Sequence, residues 1–253
     1  MRLFDSHIHL HHLAPQDQLD SQVNWALIPA IKPDEWEPLL RDYAHRVGHY
    51  IALGVHPAYT QQWSLQAAAR LSQLVQHPSV VAIGEVGLDA NCAGSGANQR
   101  QQQVLCQQIK IAVEADKALI LHCYKRYGAL LEILRQEQAQ QVGGIIHGYS
   151  GSLEVALQLW QLGFAIGIGR TILNPRAQRL RTTLMALPDA AYVIESDAPW
   201  PQHTVAYHGA SNQGAGALPS IVAQIAQLRG QSQEQIANIC AANCIRILNI
   251  EST

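Results

Sequence analysis

Twelve histidines in 253 residues are the compositional excess of this chain, and several of them close short apolar runs. His7-Ile8-His9 ends one such run, Gly54-Val55-His56-Pro57 another, and His122 and His147 end two more. Two further runs end in acids: Gly84-Glu85-Val86-Gly87-Leu88-Asp89 and Glu195-Ser196-Asp197-Ala198-Pro199. A single histidine at such a place is more often structural than functional. Imidazoles and carboxylates gathered at one place are the ligand chemistry of divalent cations: borderline ions such as Zn²⁺, Mn²⁺, Fe²⁺ and Ni²⁺ suit it, Mg²⁺ less well. A carboxylate able to bridge, with histidines on both sides, suggests two ions a few ångströms apart. Such a pair lowers the pKa of a shared water and stabilises both the attacked and the leaving oxygen.

These residues share one place only if the elements put them there. Runs at 3–9, 25–31, 50–56, 80–89, 118–123, 144–149, 164–169 and 191–197 read as strands. Several, such as Ala118-Leu119-Ile120-Leu121, are continuously apolar, as parallel strands buried on both faces are. Helix signals fall between them. Ser64 precedes 65–75, Ser152 opens 155–162, Asn174-Pro175 stands before 177–187, and Ser232-Gln233-Glu234-Gln235 has the form of a capping box. Eight alternations predict a single (β/α)8 TIM barrel of the metallo-dependent hydrolase type, with residues 1–253 as one domain. A doubly wound sheet would want a Gly-rich loop after its first strand, and Phe4-Asp5-Ser6-His7 offers none. In a barrel the carboxyl ends of the strands make the active site, so the histidines and acids converge on one mouth. Alternation along the first strand is expected to send His7 and His9 to the same side.

At these residues the chain resembles the TatD-family metal-dependent hydrolases, often described as deoxyribonucleases, of the amidohydrolase-like barrels. Phe4-Asp5-Ser6-His7-Ile8-His9, the His56 and Glu85 motifs, Ile146-His147-Gly148-Tyr149-Ser150-Gly151-Ser152 and the Asp197 motif follow one another in family order from residue 4 to 199. The resemblance implies that His7, His9, Glu85 and Asp197 hold one metal, and that Glu85 bridges to a second held also by His122 and His147. It places His56 in the pocket as a non-ligand. Two divalent cations, Zn²⁺, Mn²⁺ or Mg²⁺, are the expected cofactors. The chain departs from the family after His122, where Cys123-Tyr124-Lys125-Arg126 replaces the common Ser-Arg. It departs again after Gly87-Leu88-Asp89, where Ala90-Asn91-Cys92 lacks the usual aromatic, and after the last strand, where the Asn-Glu-Pro stretch shrinks to Asn212-Gln213 and a later Pro219.

The expected reaction is metal-assisted hydrolysis, in which a hydroxide between the ions attacks and Asp197 is the general base. Lys125 and Arg126 after the fifth strand and Arg170 after the seventh are candidates to hold phosphate oxygens. His11, His12, His203 and His208 belong to the rim, and Trp200 and Tyr149 either stack a base or pack the mouth. A formal charge of −2 excludes a protein that coats duplex through bulk charge. A nucleic-acid substrate is therefore expected to be single-stranded or short DNA, taken by an end. The alternatives are hydrolysis of a cyclic amide, lactone or other ester, and a metal-binding protein without turnover. No membrane span, signal peptide or obligate protein partner is expected. Five cysteines without a CxxC motif fit a reducing cytoplasm, with Cys123, Cys240 and Cys244 as core residues.

Overall fold

A computed structural model describes residues 1–13, 19–92, 96–199 and 216–250. Its eight strands are β1 (Leu3–Asp5), β2 (Val23–Pro29), β3 (His49–Leu53), β4 (Val80–Asp89), β5 (Ala118–Tyr124), β6 (Gly144–Ile146), β7 (Phe164–Ile168) and β8 (Tyr192–Ile194). All neighbours pair in parallel, in sequence order from β1 to β8. Backbone bonds from Ser6 N to Ile194 O (3.0 Å) and from Asp197 N to His7 O (2.9 Å) join the last strand to the first. This is the TIM-barrel order expected from the alternation.

The helices are α1 (Trp36–Tyr43), α2 (Leu65–Leu74), α3 (Ala97–Glu114), α4 (Tyr127–Gln136), α5 (Leu153–Gln161), α6 (Gln178–Ala186), α7 (Leu218–Arg229) and α8 (Gln233–Ile247). Among the described residues no α-helix separates β1 from β2; the short turn Leu10–His12 lies there instead. Ser64 and Ser152 cap α2 and α5 by accepting backbone N–H groups, and Ser232 with Gln235 forms the reciprocal box on α8. Asn174 is not a helix cap. Its Oδ1 takes the N–H of Arg176 at 2.9 Å in a turn of its own, and α6 starts four residues later.

One interior layer takes a residue from every strand: Phe4, Leu27, Ala52, Ala82, Ile120, Ile145, Ala165 and Val193. Alanines opposite Phe and Leu let the layer fill a narrow barrel. Ala241, Cys244 and Leu248, on or just after α8, join this layer and plug the end opposite the histidines. Cys240 and Cys244 are fully buried, as core residues should be. Among the described residues no helix is long and apolar enough to cross a membrane.

The strands stop short of the chemistry. β1, β3, β6 and β8 were expected to include the histidines and Asp197, yet each ends before them. At β1 the cause is Asp5, whose Oδ1 takes the N–H groups of His7 (3.2 Å) and Ser196 (3.0 Å) and draws the backbone out of the ladder. At β3 it is Gln108 of α3, which bonds both the N–H (2.7 Å) and the C=O (3.1 Å) of Val55. Beyond that break His7 and His9 pair through their backbone with Asp197 and Ala198 on one side while Ile8 pairs with Leu27 on the other, so His7 and His9 point to the same side as expected.

Candidate metal centre

Glu85 is the hub. It sits where the register between β4 and β5 shifts, a bulge that re-aims the side chain into the mouth of the barrel. Its carboxylate is 4 % exposed, and its two oxygens face different partners. Oε2 lies 3.3 Å from His7 Nε2 and 3.5 Å from His9 Nε2. These two nitrogens are 3.3 Å apart, and Asp197 Oδ1 is 3.9 Å from each. Oε1 lies 2.7 Å from His147 Nε2 and 3.0 Å from His122 Nδ1, which are themselves 3.0 Å apart. His7, His9 and Glu85 each offer a donor atom within 4.8 Å of the other two, as do His7, His147 and Asp197. The six expected metal ligands are thereby brought together. Their donor set is that of a borderline divalent cation, and the spacing fits one.

Partners on the far side of each ring decide which nitrogen faces inward. His9 Nδ1 is 3.1 Å from Pro29 O, and His122 Nε2 is 2.9 Å from Asp89 Oδ2. Each outer nitrogen therefore carries the proton, leaving the inner one with its lone pair free. His56 is the opposite case. Its Nδ1 accepts the N–H of Ala58 at 3.1 Å, so the proton of the neutral ring is on Nε2, 3.5 Å from Glu85 Oε1. In this tautomer His56 Nε2 is a hydrogen-bond donor into the pocket, although a donor atom of His56 also lies within 4.8 Å of donors on Glu85 and His122.

Charge in this small volume is strongly perturbed. Burial holds His7, His9 and His56 down to about 4, so each is neutral at pH 7. Burial also opposes charge on His147, but the adjoining Glu85 carboxylate prevails and raises it to about 10. Glu85 itself stays well below the usual carboxylate range: burial raises it, and the charge of His147 with the hydrogen bonds from His122 and His147 outweighs that. Burial pushes Glu195 up to about 8 and Asp5 up to about 7.

Asp89, Asp5 and Glu195 brace the residues of this centre, and the sequence offered no role for them. Asp89 orients His122, and Asp5 shapes the turn that carries His7. Glu195 Oε1 takes the N–H of Gly148, the residue after His147, at 2.5 Å. Their places in the motifs were visible, but nothing in residue type or spacing says which atoms they touch. Asp197 is held at φ +52°, a left-handed conformation uncommon outside Gly, Asn and Asp.

Beside the centre lies a cleft of about 310 Å³, lined among the described residues by His122, His147, Arg170, Thr171, Glu195 and Asp197, with Cys123, Tyr124, Gly148, Tyr149, Ser150 and Gly169 around them. Of the three cations expected to reach a phosphate, Arg170 is in this lining and Lys125 and Arg126 are not. Arg126 is bonded to Asn98 at 2.6 Å, and Lys125 lies over the ring of Tyr124. Tyr149 is 1 % exposed and packs against Tyr127, so it builds the mouth and does not stack a base. Cys123 is a buried core thiol pushed up to about 12 by burial. Trp200, His203, His208 and Asn212-Gln213 lie outside the described residues.

Comparison with known proteins agrees with this geometry. The chain matches the family model for TatD-related DNase over residues 4–249. It is 29 % identical to the uncharacterized metal-dependent hydrolase YjjV of Escherichia coli, over 98 % of each chain. The crystal structure of that protein superposes with a TM-score of 0.85, covering 99 % of both chains. The 3′-5′ ssDNA/RNA exonuclease TatD of Erwinia tasmaniensis is 32 % identical over 78 % of this chain and 77 % of its own. The chain belongs to the TatD-related DNase family of metal-dependent hydrolases.

Proposed function

We propose that this protein is a phosphodiesterase that shortens single-stranded or short DNA from an end. The observation that carries the reading is Glu85, whose two oxygens face separate pairs of histidines. In this reading His7, His9, Glu85 and Asp197 hold one cation, and Glu85, His122 and His147 hold a second; Zn²⁺ and Mn²⁺ suit these donors better than Mg²⁺. Two such cations supply an acidified water and an electrophilic clamp on the phosphoryl oxygens. The chain's own residues do the rest. Asp197, whose carboxylate is 36 % exposed toward the cleft, is the general base that takes the water's proton. Arg170 holds a phosphate oxygen by charge-assisted hydrogen bonds. His56 gives its Nε2–H to an oxygen in the pocket. Among the described residues Arg170 is the one Lys or Arg in the cleft lining, which suits a strand end better than a long duplex, and relatives named as 3′-5′ exonucleases of ssDNA and RNA support the class. Residues 1–253 act as one catalytic unit at work in the cytoplasm, where five free cysteines stay reduced.

The test is hydrolysis of an end-labelled single-stranded oligonucleotide, metal-free and with Mg²⁺, Mn²⁺ or Zn²⁺, beside Asp197→Asn. The expected result is metal-dependent shortening from one end by the wild type, slowed about 10²–10⁴-fold in the variant. No cleavage by folded, metal-loaded protein would overturn the reading in favour of a small ester or amide.

A further inference from the structure

We propose that His11, His12 and Glu35 form a further divalent-cation site on the rim of the barrel, beside the Glu85 centre and adjoining it at His9. The rim site stands whether the Glu85 centre holds one cation or two.

The turn Leu10–His12 sets the two imidazoles side by side, with ring centroids 4.0 Å apart. Facing them is Glu35, a buried carboxylate just ahead of α1. Its Oε1 lies 2.9 Å from His12 Nε2 and its Oε2 lies 3.3 Å from His11 Nε2. Donors around a tetrahedral Zn²⁺ bound at about 2.0–2.1 Å stand about 3.3 Å apart; each imidazole is at about that distance from one Glu35 oxygen, and donor nitrogens of His11 and His12 lie within 4.8 Å of each other. None of the three residues takes part in the set around Glu85. His9 joins the two groups: one of its ring nitrogens lies within 4.8 Å of donor nitrogens on His11 and His12, while its Nε2 faces Glu85.

Hydrogen bonding alone leaves this cluster incomplete. Oε2 is used by the N–H of Ile31 at 2.7 Å, and Oε1 by His12. His11 has both ring nitrogens buried with no hydrogen-bond partner among the described residues; its Nε2 is near Oε2 but out of alignment for a bond. A cation on Nε2 would supply that buried nitrogen with the partner it lacks. Two imidazoles and a carboxylate select a borderline first-row ion. They leave a coordination position open toward solvent, since the side chain of His12 is 34 % exposed.

The test strips the full chain with a chelator, loads it with Zn²⁺, removes free metal by gel filtration and counts bound zinc by mass spectrometry. Glu35→Gln is the main variant, because its amide oxygen can still accept the N–H of Ile31 and keep the turn. His11→Ala/His12→Ala is the second, and circular dichroism and melting check the fold of both. Both variants should bind one equivalent fewer than the wild type, and His122→Ala should lose a different one, so that its combination with Glu35→Gln loses two. In a Co²⁺ titration, Glu35→Gln should remove one saturating component of the visible absorption. Equal zinc content and identical cobalt titrations in wild type, Glu35→Gln and the double variant would overturn the proposal. A low total in the wild type, with the difference to Glu35→Gln preserved, would count against two cations at Glu85 and leave the rim site standing.

Discussion

Asp89→Asn tests the idea that the outer partner of a histidine decides whether its inner nitrogen can bind metal. Asp89 uses its oxygens for separate tasks: Oδ1 accepts the N–H of Asn91 at 2.6 Å, and Oδ2 faces His122 Nε2 at 2.9 Å. Gln101 holds the backbone of Asp89 at both its N–H (2.9 Å) and its C=O (3.1 Å), so the substitution leaves the main chain where it is. In the asparagine the oxygen keeps the Asn91 bond and the NH₂ turns toward His122. A donor then faces Nε2, which must become an acceptor, and the ring's proton moves to Nδ1. That nitrogen is the one 3.0 Å from Glu85 Oε1, and a protonated nitrogen cannot ligate. Losing an outer partner of this kind costs about 10–100-fold in metal affinity, or roughly 1.4–2.7 kcal/mol. Fold stability should change far less, because Asp89 and His122 are both partly exposed and the turn survives. The assay is hydrolysis rate against free metal concentration in chelator buffers. The half-saturating concentration should rise about 10–100-fold, with the rate recovering at high metal and the melting temperature nearly unchanged. An unchanged half-saturating concentration would refute the tautomer argument.

Arg170→Ala should lower kcat/KM on a short oligonucleotide by about 10–100-fold through loss of a charged hydrogen bond, whereas Lys125→Ala and Arg126→Ala should stay within about twofold; steady-state kinetics separate them. Metal loading should release protons. His147 keeps its proton until about pH 10 in the metal-free protein, so a ligand nitrogen must give it up; affinity should rise with pH from 7 and level off above 10, as read by calorimetry in buffers of different ionisation enthalpy. Gly87→Ala should destabilise the fold by more than about 2 kcal/mol in urea unfolding. Gly87 has φ +150°, and a Cβ there would overlap the carbonyl oxygen of its β5 neighbour His122.

What could be read from the chain follows from which forces act locally. The barrel was legible because each buried parallel strand is an apolar run of its own, and eight of them in order leave few topologies. The clustering of histidines and acids was legible because the chain that follows each apolar strand at a barrel mouth carries polar residues, and here those residues are histidines and acids. Strand limits were not, because they depend on distant side chains: Gln108 reaches Val55 from α3, and Asp5 bonds Ser196 across the whole chain. Lys125 and Arg126 show the same limit. Their charge could be read from the sequence, but whether they reach the cleft depended on Asn98 and Tyr124, which draw them elsewhere.

The same distinction explains why ligand identity and ligand state are different problems. His56 and His122 are the same residue type at comparable strand ends, and both stand within 3.5 Å of Glu85 Oε1. Residue type cannot tell them apart. What separates them is one bond each on the far side of the ring, a backbone N–H given to His56 Nδ1 and a carboxylate accepting from His122 Nε2. The first puts a proton where a metal would bind, and the second takes it away. A histidine in this centre is therefore a ligand or a donor by virtue of its neighbour, and exchanging those neighbours should exchange the roles.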